Sequence, residues 1–238
     1  RFELVSYGVG GGINPNFEIR SNIEIAMHKC IDECISHRKG IMIEAVYISM
    51  PGPNEKKLYI DLLKQYVSIE QVCYVDEGQM ALLAGVQLLR GLVALSGTGS
   101  GIFWVDGERT FHAGGWGSLL GDEGSGYYIG RKGLIAAIKY YEKTGPYTIL
   151  YDLIMNEWKL NSLLDIIEKV YGSSSPRYII ASTVPLVSKA AFMGDKIAID
   201  IFRLAGEEIA RQALALMTRL NIKEEIIATI AGGSWKGS

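Results

Sequence analysis

The feature that most constrains the fold is an alternation of short apolar runs with helical patterns over the first 95 residues. Residues 41–48 form an apolar run bounded by turn residues, as expected of a buried parallel strand. Apolar residues in the intervening segments recur at helical spacing. The alternation predicts strands at residues 1–9, 41–48, 72–75 and 91–95, helices at 22–37, 57–68 and 79–89, and a loop at 50–54. Such an order is typical of an α/β architecture.

The second half of the chain opens with strands and continues with helices. An Asp106-Gly107 pair predicts a hairpin turn between two of the strands. We place a lobe boundary near Leu95-Ser96, which gives a first lobe over residues 1–95 and a second lobe over residues 96–238. The patterns predict strands at 92–95, 101–105, 109–113 and 226–230, and helices at 122–141, 149–158, 162–170, 176–192 and 195–220.

Composition and charge exclude several classes of protein. The chain has 238 residues, 48% of them hydrophobic, with a formal net charge of −2 and no basic run, so neither nucleic acid nor an anionic membrane is an expected partner. The longest apolar stretch, residues 80–104, is interrupted by Gln87, Arg90 and several glycines, and is not a membrane span. No secretory signal is visible, which favours a cytoplasmic location. Three cysteines are too few for a disulfide framework, and we expect buried free thiols rather than a redox or metal site.

A glycine-rich turn follows the predicted strand at residues 92–95. Its sequence, Gly97-Thr98-Gly99-Ser100, lets backbone N–H groups approach a phosphate, and the two hydroxyl side chains add donors. Glycine permits this approach because it carries no Cβ. A tight hairpin between two strands explains the same residues equally well, and the turn alone does not decide between them.

A second segment, residues 113–127, combines many small residues with a tryptophan and two acidic side chains. Trp116 offers an apolar plate for one face of a sugar, and Asp122 offers a carboxylate for neighbouring hydroxyls. The alternative is that Asp122 caps the following helix and Trp116 lies in the core. The density of glycine favours a ligand site, because packing alone does not require it.

Two further positions are weaker signals. Asp76 follows the predicted strand at residues 72–75, where a carboxylate in an open α/β sheet can reach a substrate and accept a hydroxyl proton. From position alone, capping of the next helix is the better interpretation of Asp76. The Gly232-Gly233 turn follows the last predicted strand, and it either admits a purine and ribose or is an ordinary loop.

Taken in order, these motifs resemble the N-acetylglucosamine kinase and BadF/BadG/BcrA/BcrD ATPase family of the actin–hexokinase–Hsp70 superfamily. The resemblance spans nearly the whole chain, and residues 114–130 are its most specific part. It implies a two-lobed, actin-like (ribonuclease H-like) α/β fold with a cleft between the lobes, and ATP-dependent phosphorylation of a hexose or amino-hexose. The residues it implies are Asp76 as catalytic base; Gly97, Thr98, Gly99, Ala181, Gly232, Gly233 and Lys236 for ATP; and Asn14, Gly115, Trp116 and Asp122 for the sugar.

One departure from the family pattern is serious. Family members begin with an Asp-Gly-Gly-x-Thr-Lys-Thr phosphate loop whose Asp helps to hold Mg²⁺, whereas residues 8–12 lack its Asp, Thr and Lys. We therefore expect Arg1 to lie inside the first hairpin of a longer protein, and we assign no metal-binding residue, although ATP and Mg²⁺ are the implied cofactors.

Two alternatives stay open within the resemblance. One is an ATPase that activates a 2-hydroxyacyl-CoA dehydratase, which the apparent absence of cysteine cluster ligands disfavours. The other is a non-catalytic sensor of sugar or nucleotide. The sequence does not name the sugar, and a homodimer is compatible with the relatives.

Overall fold

The computed structural model describes residues 3–15, 18–35, 38, 40–50 and 53–236. The chain divides into two compact units, Arg1–Met80 and Ala81–Ser238, and the fold is of the α/β class, as predicted. Pro51 and Gly52 of the predicted loop at 50–54 lie outside the described residues, as do the ends of the predicted segments 1–9 and 22–37.

Before α3 begins, the described residues of the first unit form two parallel strands and two helices. They are α1 (Arg20–Ile35), β1 (Met42–Ile48), α2 (Pro53–Leu63) and β2 (Ser68–Tyr74), with Met42 of β1 opposite Ser68 of β2. Four residues at four-residue spacing form the buried stripe of α1, namely Ile23, Met27, Ile31 and Ile35. This stripe packs against Leu62, Leu63 and Val67 and forms the core of the unit.

The strand predicted at residues 1–9 is wrong over the part that the structure describes. Residues 3–9 make no strand ladder and lie instead along α1. The close approach needs glycine, since a Cβ on Gly8 would lie 2.0 Å from the carbonyl oxygen of Cys30. The N–H of Val9 donates to the Glu33 carboxylate at 2.9 Å, which satisfies a backbone group that a neighbouring strand would otherwise bind.

The expectation of buried cysteines is also wrong. Cys34 is exposed, while Cys30 and Cys73 are half-buried. The buried stripe of α1 is occupied by Ile and Met side chains, so the two α1 cysteines fall on its flank. The Cys30 thiol donates to the carbonyl of Gly8 at 3.2 Å.

The second unit contains a four-stranded sheet of order β5-β4-β3-β6. Its strands are β3 (Arg90–Ser96), β4 (Ser100–Asp106), β5 (Arg109–Gly114) and β6 (Ala228–Ala231). β3 pairs antiparallel with β4 and parallel with β6, so the last strand in the sequence lies beside the first strand of the sheet. The predicted hairpin turn at Asp106-Gly107 is confirmed, with φ of +66° at Gly107. The boundary expected near Leu95-Ser96 falls inside β3, which is paired on both sides within this unit.

The helices of this unit pack mainly against one another, and their buried side chains form a core of their own. The helices are α3 (Glu77–Val86), which begins in the first unit, α4 (Gly126–Tyr141), α5 (Ile149–Glu157), α6 (Ile166–Tyr171), α7 (Pro176–Ala181), α8 (Val184–Phe192) and α9 (Lys196–Arg219). The single helix predicted over 176–192 is interrupted, because Pro185 has no N–H to continue the hydrogen bonds of α7. The helix predicted from residue 122 begins at Gly126, after the cap residue Ser125. Among the described residues, no helix combines the length and the hydropathy of a membrane span.

Candidate active site

The glycine-rich turn between β3 and β4 is a tight hairpin. The N–H of Gly97 donates to the carbonyl of Gly99 at 2.8 Å. Its carbonyls also meet the first turn of α4, since Gly126 N–H donates to Gly97 at 2.7 Å and Tyr127 N–H donates to Thr98 at 3.2 Å. Gly126 must be glycine here, because a Cβ would lie 2.9 Å from the Gly97 carbonyl oxygen. The hairpin is therefore held both by its own backbone hydrogen bond and by hydrogen bonds from the first turn of α4.

The two strand ends beside this hairpin bind the segment that leads into α4. The Ser96 hydroxyl donates to the carbonyl of Gly124 at 2.7 Å, and the Ser100 hydroxyl donates to the carbonyl of Glu123 at 2.8 Å. Both serines are buried. Residues 122–127 are consequently held against the hairpin by side-chain and backbone bonds.

The turn that follows β6 lies against the same hairpin. Gly232 has φ of +103°, and a Cβ there would lie 2.3 Å from the carbonyl oxygen of Ser96, so both conformation and space require glycine. The Ser234 hydroxyl donates to the Gly97 carbonyl at 3.3 Å, and the Trp235 indole N–H donates to the Ala94 carbonyl at 3.1 Å. Two motifs separated by more than half of the chain thus meet at one point.

A cavity of about 560 Å³ opens beside these two turns, a volume typical of small-molecule sites. Its lining includes five of the residues that the resemblance implies for ATP, namely Gly97, Thr98, Ala181, Gly233 and Lys236. The other two are not among the lining residues: Gly232 lies against the backbone of Ser96, and Gly99 lies against the Arg177 side chain. The sequence analysis missed the remaining lining residues, which are Gly126, Tyr178, Ser182, Val184, Pro185, Ser188, Phe202 and Ser234.

The chemistry of the lining is mixed. Glycine backbone and the Lys236 ammonium suit a phosphate chain, while Tyr178, Val184 and Phe202 suit a flat apolar ring. α7 and α8 supply four of the eight missed residues. No local sequence motif marks them. Only the helical periodicity of α7 and α8, and the glycine at position 130 of α4 that α7 contacts, could have indicated that these helices form this side of the cavity.

The segment at residues 114–121 connects β5 to the hairpin region. Gly114, Gly115 and Gly117 have φ of +75°, +73° and +82°, which is the left-handed region that glycine adopts without strain. Trp116 is 70% exposed, so the alternative that placed it in the core is wrong. The backbone of Gly121 lies against the base of this side chain, since a Cβ on Gly121 would be 3.1 Å from Trp116 Cβ. The segment presents an exposed indole on a glycine-built support.

Asp122 is 3% exposed and adopts φ of +62°. Its Oδ2 accepts a hydrogen bond from Arg177 Nη2 at 2.6 Å, and its Oδ1 lies 3.4 Å from the backbone nitrogen of Ser100. The helix-cap alternative is wrong, because the Ser125 hydroxyl caps α4 by accepting from Tyr128 N–H at 3.1 Å. The sequence analysis missed Arg177, which is 55 residues away and carries no motif of its own. The predicted contact of Asp122 with sugar hydroxyls stays a prediction.

Asp76 lies in the first unit, between β2 and α3, and caps α3. Its Oδ1 accepts from Gly78 N–H at 2.8 Å, and the Gln79 side-chain oxygen accepts from Asp76 N–H at 3.2 Å. This reciprocal pair is a capping box, so the capping interpretation is confirmed. Desolvation raises the pKa of the neighbouring Glu77 carboxyl, and the Asp76 charge raises it further. Asp76 is exposed, and its role as a base stays a prediction.

Asn14, the other site residue predicted in the first unit, is half-buried. Its backbone carbonyl accepts from Glu18 N–H at 2.9 Å. A cleft shared by Asn14, Asp76 and the residues of the second unit stays a prediction. Across the described ranges, no three His, Cys, Asp or Glu side chains are grouped closely enough to hold a metal ion.

The sequence model of the BadF/BadG/BcrA/BcrD ATPase family matches residues 11–237, and the chain belongs to this family. The N-acetylmuramic acid/N-acetylglucosamine kinase of Clostridium acetobutylicum is 33% identical over 231 residues, which cover 94% of this chain and 75% of that protein. The N-acetyl-D-glucosamine kinase of Dictyostelium discoideum is 30% identical over 167 residues, 67% of this chain and 52% of that protein.

Solved structures also share the fold, and two of them belong to candidate N-acetylglucosamine kinases. The structure of a candidate N-acetylglucosamine kinase from Chromobacterium violaceum matches with a TM-score of 0.71 at 19% identity, covering 96% of this chain and 79% of that one. A second candidate N-acetylglucosamine kinase, from Porphyromonas gingivalis, matches with a TM-score of 0.65 at 19% identity, covering 98% and 89%. The family resemblance and the fold class that it implied are therefore confirmed, while the cleft between the lobes stays a prediction.

Proposed function

We propose that the chain catalyses transfer of the γ-phosphoryl group of ATP to a hydroxyl of a hexose or amino-hexose. The observation that carries the proposal is that Thr98, Ala181, Gly233 and Lys236, which are far apart in the sequence, line one cavity. The relatives at 33% and 30% identity, both named as amino-sugar kinases, support the choice of acceptor. Because ATP is the phosphoryl donor, we propose a cytoplasmic enzyme with a small sugar as its partner.

In this proposal each residue has a defined task. Glycine backbone at residues 97–99, the Thr98 hydroxyl and Lys236 hold the phosphates, and the apolar side chains of the cavity hold the base. The exposed face of Trp116 receives the sugar ring. Asp76 removes the proton from the attacking hydroxyl. Catalysis then consists mainly of positioning and of neutralising phosphate charge.

The described residues do not form a clear Mg²⁺ site. The Asp122 carboxylate beside the hairpin is already paired with Arg177, and no carboxylate is among the residues that line the cavity. Mg²⁺ bound to ATP would supply charge neutralisation, and we assign none of this chain's residues to it.

The test is a coupled ADP-release assay on the whole chain with N-acetylglucosamine, N-acetylmuramic acid, glucosamine and glucose. We expect sugar-dependent ADP release with at least one of them. Folded protein that releases ADP with none would refute the proposal. Binding of a sugar without turnover would instead support a sensor, and ATP hydrolysis that ignores the sugar would support an ATPase activator.

Thr98→Val tests the phosphate contact directly. It keeps the shape of the side chain and removes the hydroxyl, so we expect kcat/KM for ATP to fall about tenfold or more, since a hydrogen bond to a charged group stabilises by about 1.5–3 kcal/mol. Thr144→Val is the matched control, because Thr144 is exposed and is not in the cavity lining. Equal ATP kinetics in the two variants would show that Thr98 is only a hairpin residue.

A further inference from the structure

Arg177, at the second position of α7, contacts two of the proposed functional segments at once. Its Nη2 donates to Asp122 Oδ2 at 2.6 Å, and a Cβ placed on Gly99 would lie 2.6 Å from the same nitrogen. The Arg177 side chain is 20% exposed and that of Asp122 is 3% exposed, so the pair is largely removed from water. A charged hydrogen bond in such surroundings is stronger and more directional than one at the surface.

The helix that carries Arg177 also forms a wall of the cavity. Tyr178 and Ala181 of α7 line it, as do Gly97 and Thr98 of the hairpin. A molecule in the cavity therefore touches both of the elements that Arg177 joins. Arg177 itself is not among the lining residues, so it acts through its contacts with Gly99 and Asp122.

Asp122 connects this pair to the proposed sugar segment. It directly follows Gly121, whose backbone lies against the base of Trp116. Asp122 holds φ of +62°, a conformation that non-glycine residues adopt only when their surroundings stabilise it. The bond to Arg177 and the nearby Ser100 N–H provide that stabilisation. The position of the Trp116 segment thus depends on the guanidinium.

We infer that Arg177 is a positioning residue that couples nucleotide binding to sugar binding, an inference that rests on the proposed function. In this inference a bound nucleotide orders α7, which carries Arg177, and the hairpin, which contacts it. The ordered guanidinium then holds Asp122 in place, and Asp122 holds the segment that carries Trp116. The sugar then binds a segment that is already ordered, so less entropy is lost. By linkage, the sugar must tighten nucleotide binding by the same factor.

The experiment measures N-acetylglucosamine affinity of the whole chain by calorimetry, with and without saturating ADP. We expect ADP to tighten sugar binding about fivefold or more in the parent, the lower end of usual coupling between sites. Arg177→Met should remove this coupling, and Arg177→Lys should keep part of it because an ammonium keeps the charge but not the planar fork. Arg211→Met is the matched control: its ion pair with Glu208 is also 2.6 Å long, but its side chain is 68% exposed, and it should keep full coupling.

Loss of the same coupling in Asp122→Asn, with no further loss in the double variant, would place both residues in one unit. Two results would overturn the inference: no coupling in the parent, or full coupling in Arg177→Met, which includes the case in which its affinity falls by the same factor with and without ADP. If Arg177→Met does not fold, the partial coupling of Arg177→Lys decides. The proposed function fails separately, through the absence of sugar-dependent ADP release in the parent.

Discussion

Two glycines inside helices allow one chemical change to be made in two different surroundings. Gly130 lies in α4, where a Cβ would be 2.0 Å from the carbonyl oxygen of Ile180 and 2.5 Å from Thr183 Oγ1. Gly206 lies in α9, where a Cβ would meet nothing within 4 Å. Gly130→Ala should therefore force α7 away from α4, whereas Gly206→Ala should be accommodated without movement.

The expected change in the free energy of unfolding has two parts, a gain in helix propensity and a cost of overpacking. Replacing helical glycine by alanine stabilises by about 0.8–1 kcal/mol, and this gain is common to both variants. To reach even a contact of 3.0 Å, the Ile180 carbonyl must retreat by about 1 Å, and overpacking of this kind costs about 1–3 kcal/mol. We expect Gly206→Ala to be stabilised, and Gly130→Ala to be less stable than Gly206→Ala by about 1–3 kcal/mol.

Tryptophan fluorescence suits the assay, because all four tryptophans of the chain lie at or beyond residue 104, in the second unit. Urea unfolding followed by this signal gives the free energy of unfolding of that unit. Since α7 carries Ala181 and Tyr178 to the cavity, ADP affinity should also fall in Gly130→Ala and stay at the parent value in Gly206→Ala. Equal unfolding free energies and equal ADP affinities in the two variants would refute the argument from close packing.

Two further predictions concern carboxylates. Asp76→Asn should lower turnover by about 10²–10⁴-fold without changing thermal stability, since Asn caps a helix as well as Asp does. Glu77→Gln is the control. Unchanged turnover in Asp76→Asn would place the base elsewhere. Asp195 caps α9 through Ile197 and Ala198 N–H and also binds the buried Thr148 hydroxyl at 2.8 Å, so Asp195→Ala should cost about 2–4 kcal/mol in urea unfolding. Asp200→Ala, at an exposed position of α9, should change stability by less than about 0.5 kcal/mol, and a similar loss in both variants would contradict the capping role.

The secondary structure was largely predictable because apolar periodicity is a local property. Strands β3 and β4 and the turn at Asp106-Gly107 lie close to their predicted positions, since the alternation and the turn residues are short-range signals. Boundaries were less accurate where a single group decides them: Pro185 divides a predicted helix, and Ser125 delays the start of α4. The strand predicted at the N-terminus was wrong for another reason, because residues 3–9 lie against the helix α1 and not beside a strand.

The sequence predicted glycines that line the cavity, but it did not predict most of the side chains that form the cavity walls. Gly97 and Gly233 could be predicted because each belongs to a short glycine-rich turn after a strand, although a Cβ on either would meet nothing within 4 Å. Arg177, Tyr178 and Phe202 give no such signal, because their roles arise from contacts with residues distant in the sequence. The burial of Asp122 was missed for the same reason, since its partner lies on α7.

The pairing of β6 with β3 also sets the order in which the second unit can be completed during synthesis. β3 and the hairpin at residues 97–99 emerge early, but Ser234 binds Gly97 and Trp235 binds Ala94 only after more than a hundred further residues have been added. At about 5–20 residues per second, the ribosome needs several seconds to supply them. Until then β3 has an unpaired edge, and contacts this distant in sequence form slowly. The nascent chain therefore exposes the edge of an apolar strand throughout that interval.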